Sequence, residues 1–163
     1  VALMASTEDH CLLDLLWRNR RGELDMSVVM VIANHPDLAD QVDGLLRRRV
    51  LDGLGLAKRA AQLVSGFEKV SSALNGGKVA WLIEASDGAF DGRRKILNVA
   101  RKSPKPAKLF GLFSAEELGL ALGRENVIHT AFLAGRASGR WTSDAQRLSG
   151  FRSLLPESWR EEP

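Results

Sequence analysis

From Gln41 to Arg152 the chain alternates strand-type and helix-type patterns, and this alternation restricts it to a sheet covered by helices on both faces. Val79–Ala85 (Val-Ala-Trp-Leu-Ile-Glu-Ala), Lys108–Phe113 and Val127–Leu133 are short and apolar, as strands are. Helix-type stretches stand beside them: Phe67–Leu74, a basic segment from about Gly92 to Lys102, Ala115–Leu122 and Ser138–Leu148. The punctuation agrees with this. Asn75-Gly76-Gly77 closes one helix, Ser103-Pro104-Lys105-Pro106 breaks another and Gly150 ends the last. Ser114 and Glu117 have the spacing of a capping box. A long helical stretch, about Pro36–Leu63, comes first, and Gly53 and Gly55 inside it predict a split into two helices near Asp52.

The first forty residues have an organisation of their own. Val1–Ala5 is a short apolar run of the strand type, and Ser6 with Asp9 has the capping-box spacing. Leu12, Leu13, Leu15, Leu16 and Trp17 then fall mostly on one side of a helix that Gly22 stops. Ser27–Ala33 is continuous, apolar and β-branched, as expected of a strand covered on both faces. Together these predict one β-α-β unit with parallel strands. Both strands are too apolar to stand exposed, so the unit is expected to dock its strands onto or beside the module's sheet, giving one enlarged α/β/α layer structure. The expected division is a 1–36 unit, a 37–152 module and a 153–163 tail.

Charge separates the same segments. Residues 1–40 hold three Lys/Arg against seven Asp/Glu, a net of −4; residues 41–152 hold nineteen against ten, a net of +9. The tail, with one against three, is −2, which brings the whole chain to +3. A middle section with nearly twice as many bases as acids suits a polyanionic partner. No apolar run is long enough to span a bilayer, so no membrane partner is expected. No signal peptide is expected either, because acidic residues follow Val1–Ser6 at once. The single cysteine, Cys11, cannot form an internal disulfide, which fits a reducing cytoplasm. His10, His35 and His129 with Cys11 show no metal-ligand spacing, and no phosphate-binding loop or serine-nucleophile elbow is found. No metal, cofactor or catalytic residue is therefore expected.

Gly53-Leu-Gly-Leu-Ala-Lys-Arg-Ala60, Val64-Ser-Gly66, Leu74-Asn-Gly-Gly-Lys-Val79, Glu84-Ala-Ser-Asp87 and Ser114-Ala-Glu-Glu-Leu-Gly119 carry a resemblance that runs from about Asp37 to Arg152. Together they resemble the ribosomal L-seven-Ae / L-thirty-e superfamily, and within it the bacterial YlxQ-type proteins, some of which follow a YlxR nucleic-acid-binding domain. The resemblance implies a three-layer α/β/α sandwich, no enzymatic activity and binding of structured RNA, ribosome- or kink-turn-type. It places Gly66 where the backbone approaches RNA, and Glu68 and Lys69 at the helix start that faces it. A second contact region would be the Gly123–Val127 loop, with Arg124 and Asn126. Lys58, Arg59, Arg93 and Arg94 are expected to add a basic, phosphate-tracking surface. The resemblance departs at Ser72, where the family often has Lys or Arg, and the Asn-Glu pair of strong kink-turn binders is not reproduced.

Val1-Ala-Leu-Met-Ala-Ser6, His10-Cys-Leu-Leu-Asp-Leu-Leu16, Arg21-Gly-Glu-Leu24 and Val31-Ile-Ala-Asn-His-Pro-Asp37 resemble another family. They are similar to the opening β-α-β of formyltetrahydrofolate deformylase. The catalytic Asn, His and Asp of that family lie on later segments without counterparts here, and Asn34 and His35 follow the second strand instead. Two readings of function result. One is a non-enzymatic RNA-binding module; the alternative is a recombined or designed α/β chimera with no selected biochemical activity.

Overall fold

The computed structural model describes residues 2–5, 18, 23, 30–33 and 36–160, and the chain divides into two compact units, Val1–Leu45 and Leu46–Pro163. In the first, β1 (Ala2–Ala5) pairs in parallel with β2 (Met30–Ala33), Ala2 opposite Met30 and Ala5 opposite Ala33. This is the strand arrangement expected of a β-α-β unit. The helix expected between them lies outside the described residues except for Arg18, which is helical and pairs with Glu23 at 3.4 Å.

Helix α1 (Pro36–Arg59) begins in the first unit, and from Leu46 onward it belongs to the second. The expected split near Asp52 does not occur. A β-carbon at Gly53 would lie 2.8 Å from Cδ1 of Trp141, and one at Gly55 would lie 2.9 Å from the Ala121 carbonyl oxygen. These glycines are sites of close approach. The packing they permit outweighs the roughly 1 kcal/mol that each costs inside a helix.

The second unit continues with β3 (Leu63–Ser65), α2 (Phe67–Asn75), β4 (Val79–Glu84), α3 (Phe90–Arg101), β5 (Lys108–Phe110), α4 (Ala115–Ala121), β6 (His129–Leu133) and α5 (Arg136–Ser149). Its sheet has the order β3-β6-β4-β5, with β6 antiparallel to both β3 and β4 and β5 parallel to β4. The expectation of a helix running to Leu63 is corrected here. Ala61, at φ 53°, turns the chain, and Leu63–Ser65 becomes a sheet edge opposite Phe132–Thr130. Among the described residues β1 and β2 form a two-stranded sheet, and β3 to β6 form the four-stranded one.

Alternation along the strands, reset by an irregularity between Val79 and Trp81 in β4, sends side chains to both faces. On one side Trp81, Ile83, Phe110 and Phe132 pack with Val50 and Leu54 of α1, Leu118 of α4, and Trp141 and Ala145 of α5. On the other, Val79, Leu82 and Ala131 pack with Val70 and Leu74 of α2 and Ile96 of α3. The second unit is thus the expected three-layer α/β/α sandwich. Residues beyond Arg152 are also held: the Gly111 amide donates to the Leu154 carbonyl at 2.8 Å, and a 3₁₀ turn, Glu157–Arg160, carries Trp159 against Gly111.

Candidate nucleic-acid interface

Strand polarity brings Gly66, Glu68, Lys69, Arg124 and Asn126 to one end of the sheet. β3, β4 and β5 end there, β6 begins there, and the loops after β3, β4 and β5 start α2, α3 and α4. Gly66, at φ 97°, ψ 147°, turns the chain from β3 into α2; its amide donates to the His129 carbonyl at 2.9 Å. A β-carbon at Gly66 would touch nothing within 4 Å, so the left-handed backbone and not lack of room calls for glycine. No side chain caps α2, and Glu68 and Lys69 are exposed on its first turn. The Arg124–Ile128 loop arrives beside them, because Ile128 and His129 accept from the amides of Ala85 and Gly66. Arg124 and Asn126 are exposed on that loop.

The basic residues are less uniform than the sequence suggests. Arg93, expected on an exposed ridge, is only 4% exposed; its guanidinium donates to the Gly88 carbonyl at 2.9 Å and lies over the Trp159 ring at 4.4 Å. It is part of the fold. Arg94 is exposed but pairs with Asp91 at 3.3 Å. Lys58 donates to the Leu122 carbonyl at the end of α4, a cation at a helix C-terminus, while Arg59 is exposed at the end of α1. The charge at this end is also the reverse of the module's net charge. Residues 66–69, 85–94, 111–117 and 123–128 hold four bases (Lys69, Arg93, Arg94, Arg124) against six acids (Glu68, Asp87, Asp91, Glu116, Glu117, Glu125).

Beneath Gly66 lies a pair the sequence reading did not single out. His129 Nδ1 and Glu84 Oε2 are 2.7 Å apart, paired across β4 and β6, with the Phe67 ring edge-on to His129 at 5.6 Å between centroids. Gly92 leaves space over the imidazole, since a β-carbon there would sit 3.5 Å from His129 Cε1 and Nε2. A glutamate ending an otherwise apolar strand was the available signal. Burial raises the Glu84 carboxyl above its usual 4.5, against the hydrogen bond and positive charge of His129 and the charge of Arg93. Among the described residues its second oxygen, Oε1, is buried without a hydrogen-bond partner, which is the desolvation that opposes the charged form.

A raised pKa means that the folded state holds the proton more tightly than the unfolded one. The stability contributed is complete below 4.5 and is lost as pH rises through the raised value. Glu84→Gln removes that loss. Its stability relative to the unsubstituted chain is expected to improve from pH 4.5 to 7.5, measured by urea midpoints; a relative decline over that range would contradict the assignment.

Among solved structures, a protein of unknown function from Bacillus halodurans matches 60% of this chain and 96% of its own at 29% identity, with a TM-score of 0.52. The Giardia lamblia 15.5kD RNA binding protein matches 65% of this chain and 89% of its own at 18% identity, with a TM-score of 0.49, too low to bear on the fold. No protein-family model matches the chain. Over 42 residues the chain is 90% identical to formyltetrahydrofolate deformylase from Mycobacterium tuberculosis, and over 43 residues 54% identical to that from Synechocystis sp.. Each match covers 26% of this chain but only 14% and 15% of those enzymes' length. Among the described residues no helix is long and apolar enough to cross a membrane, and no group of three or more His, Cys, Asp or Glu could hold a metal ion.

Proposed function

We propose that the second unit is a non-enzymatic binder of structured RNA and that the Gly66–Lys69 turn, with the Arg124–Ile128 loop beside it, reads the RNA's shape. The observation that carries this is the uncapped start of α2. Gly66 has no side chain, a β-carbon there would meet nothing within 4 Å, and no side chain caps the helix, which leaves its first-turn amides to an incoming acceptor such as a phosphate oxygen. Lys69 supplies a donor, and Glu68, an acceptor when ionised, suits a base amino group. Glu84 and His129 hold the two loops in place from below. Trp81 is buried, so bases are contacted by shape and backbone more than by stacking.

Titration of a bulged RNA hairpin tests this reading. Lys69→Ala is expected to weaken binding roughly tenfold, the loss of one charge-assisted contact of about 1.5 kcal/mol. Unchanged affinity would remove the α2 start from the interface. A second reading draws on the deformylase match. A fragment 90% identical to 14% of an enzyme, within a chain whose second unit has a sheet of its own, supports a recombined or designed chain without selected activity. Tight binding to a defined RNA would count against that alternative.

A further inference from the structure

The end of the sheet opposite Gly66 carries the charge that the Gly66 end lacks. Because β5 runs parallel to β4 and β6 runs antiparallel to it, the segments before β4, before β5 and after β6 all emerge at this opposite end. Residues 75–78, 101–108 and 134–140 contain seven bases and no acid. They adjoin one another. The Ala134 amide donates to the Lys78 carbonyl at 2.8 Å, Ser103 Oγ donates to the Leu74 carbonyl at 2.7 Å, and a β-carbon at Gly77 would sit 3.5 Å from Pro104 and 3.7 Å from Lys105. Every one of the seven bases is exposed, and among the described residues none is in an ion pair.

We infer that this end, centred on Lys78, Lys102, Lys105 and Arg136, is the surface that holds the phosphate backbone of the RNA. The identification of the polyanion rests on the RNA reading above. Helix stability accounts for only part of this charge: Lys102 stands at the C-terminal end of α3, where a cation is favourable, but Arg136 opens α5, where a cation opposes the macrodipole. Nor can one end stand in for the other. Six residues of β4 separate them by about 20 Å at 3.3 Å per residue, more than twice the roughly 8 Å screening length at physiological salt. The acidic Gly66 end therefore gives position, and the basic end gives salt-dependent affinity.

The test measures binding of the bulged RNA hairpin at two salt concentrations by four chains: unsubstituted, Lys102→Glu/Lys105→Glu, Arg136→Glu and Lys69→Glu. The double reversal is expected to lower the slope of log affinity against log salt by about 1.4–1.8, two phosphate contacts at about 0.7–0.9 each. Arg136→Glu is expected to weaken binding while leaving the urea midpoint unchanged or higher, which separates lost contact from lost fold. Lys69→Glu should weaken binding with a smaller change in slope. If the unsubstituted chain binds and the double reversal and Arg136→Glu bind equally well, this inference is overturned and the RNA reading stands. If the unsubstituted chain binds no RNA, both fall.

Discussion

Trp141→Ala is expected to be the most destabilising single substitution in the second unit, costing about 3–5 kcal/mol as other buried aromatic truncations do. The indole is 3% exposed. Its ring meets those of Trp81 at 5.2 Å, Phe110 at 5.3 Å and Phe132 at 5.7 Å, so it joins three strands to α5. Its Nε1 donates to the Val50 carbonyl at 2.9 Å, which adds α1. Gly53 lets α1 approach this ring, and alanine at 141 would leave a cavity bounded by two helices and the sheet. Trp141→Phe keeps a ring and gives up the hydrogen bond, so its loss should be nearer 1 kcal/mol plus whatever volume is not refilled. Urea denaturation of both variants checks the order. Equal losses would mean that the hydrogen bond, and not the packing, is the main contribution. Few small domains have more than about 5–15 kcal/mol in total, so the alanine variant should sit close to unfolding.

The legible part of the fold was the part written in local patterns. β4, β5 and β6 are apolar runs between turn signals, and the capping box of α4 forms as its spacing predicts: Ser114 Oγ accepts from the Glu117 amide at 3.1 Å, and Glu117 Oε2 from the Ser114 amide at 2.9 Å. β3 was not legible because three residues are too few for alternation to show. Gly53 and Gly55 predict a break that does not form because a glycine that breaks a helix and one that admits a neighbour look alike in sequence. The same holds for Arg93: within Arg93-Arg94-Lys95 nothing in the residue types says which base turns inward to Gly88 and Trp159. Of the candidate interface, Gly66, Glu68, Lys69, Arg124 and Asn126 do gather at one end. The Glu84–His129 pair was hidden because its members are 45 residues apart and meet only through the β4/β6 register. Charge by end was hidden for a related reason. The three acid-free segments can be counted in the sequence, but only strand direction shows that they emerge together.

Gly119→Ala sets local propensity directly against packing. Within a helix this exchange should stabilise by up to about 1 kcal/mol. A β-carbon at Gly119, however, would lie 2.4 Å from the Glu125 carbonyl oxygen and 2.8 Å from that of Arg124. Both are backbone atoms, so no rotamer change can clear them, and the chain itself must move. Overpacking of this kind costs typically 1–3 kcal/mol and sometimes more, which exceeds the propensity gain. The net expectation is a destabilised second unit with a lower urea midpoint. The displacement has a functional direction too. Gly119 accepts from the Arg124 amide at 2.9 Å, and the segment it would push leads through Asn126 to Ile128 and His129, whose carbonyl holds the Gly66 amide. The variant should therefore weaken RNA binding by misplacing the Arg124–Ile128 loop, while the salt slope, set at the opposite end of the sheet, stays near that of the unsubstituted chain. A raised midpoint would show that the loop yields easily. A lower affinity accompanied by a lost slope would show that the two ends of the sheet do not act separately.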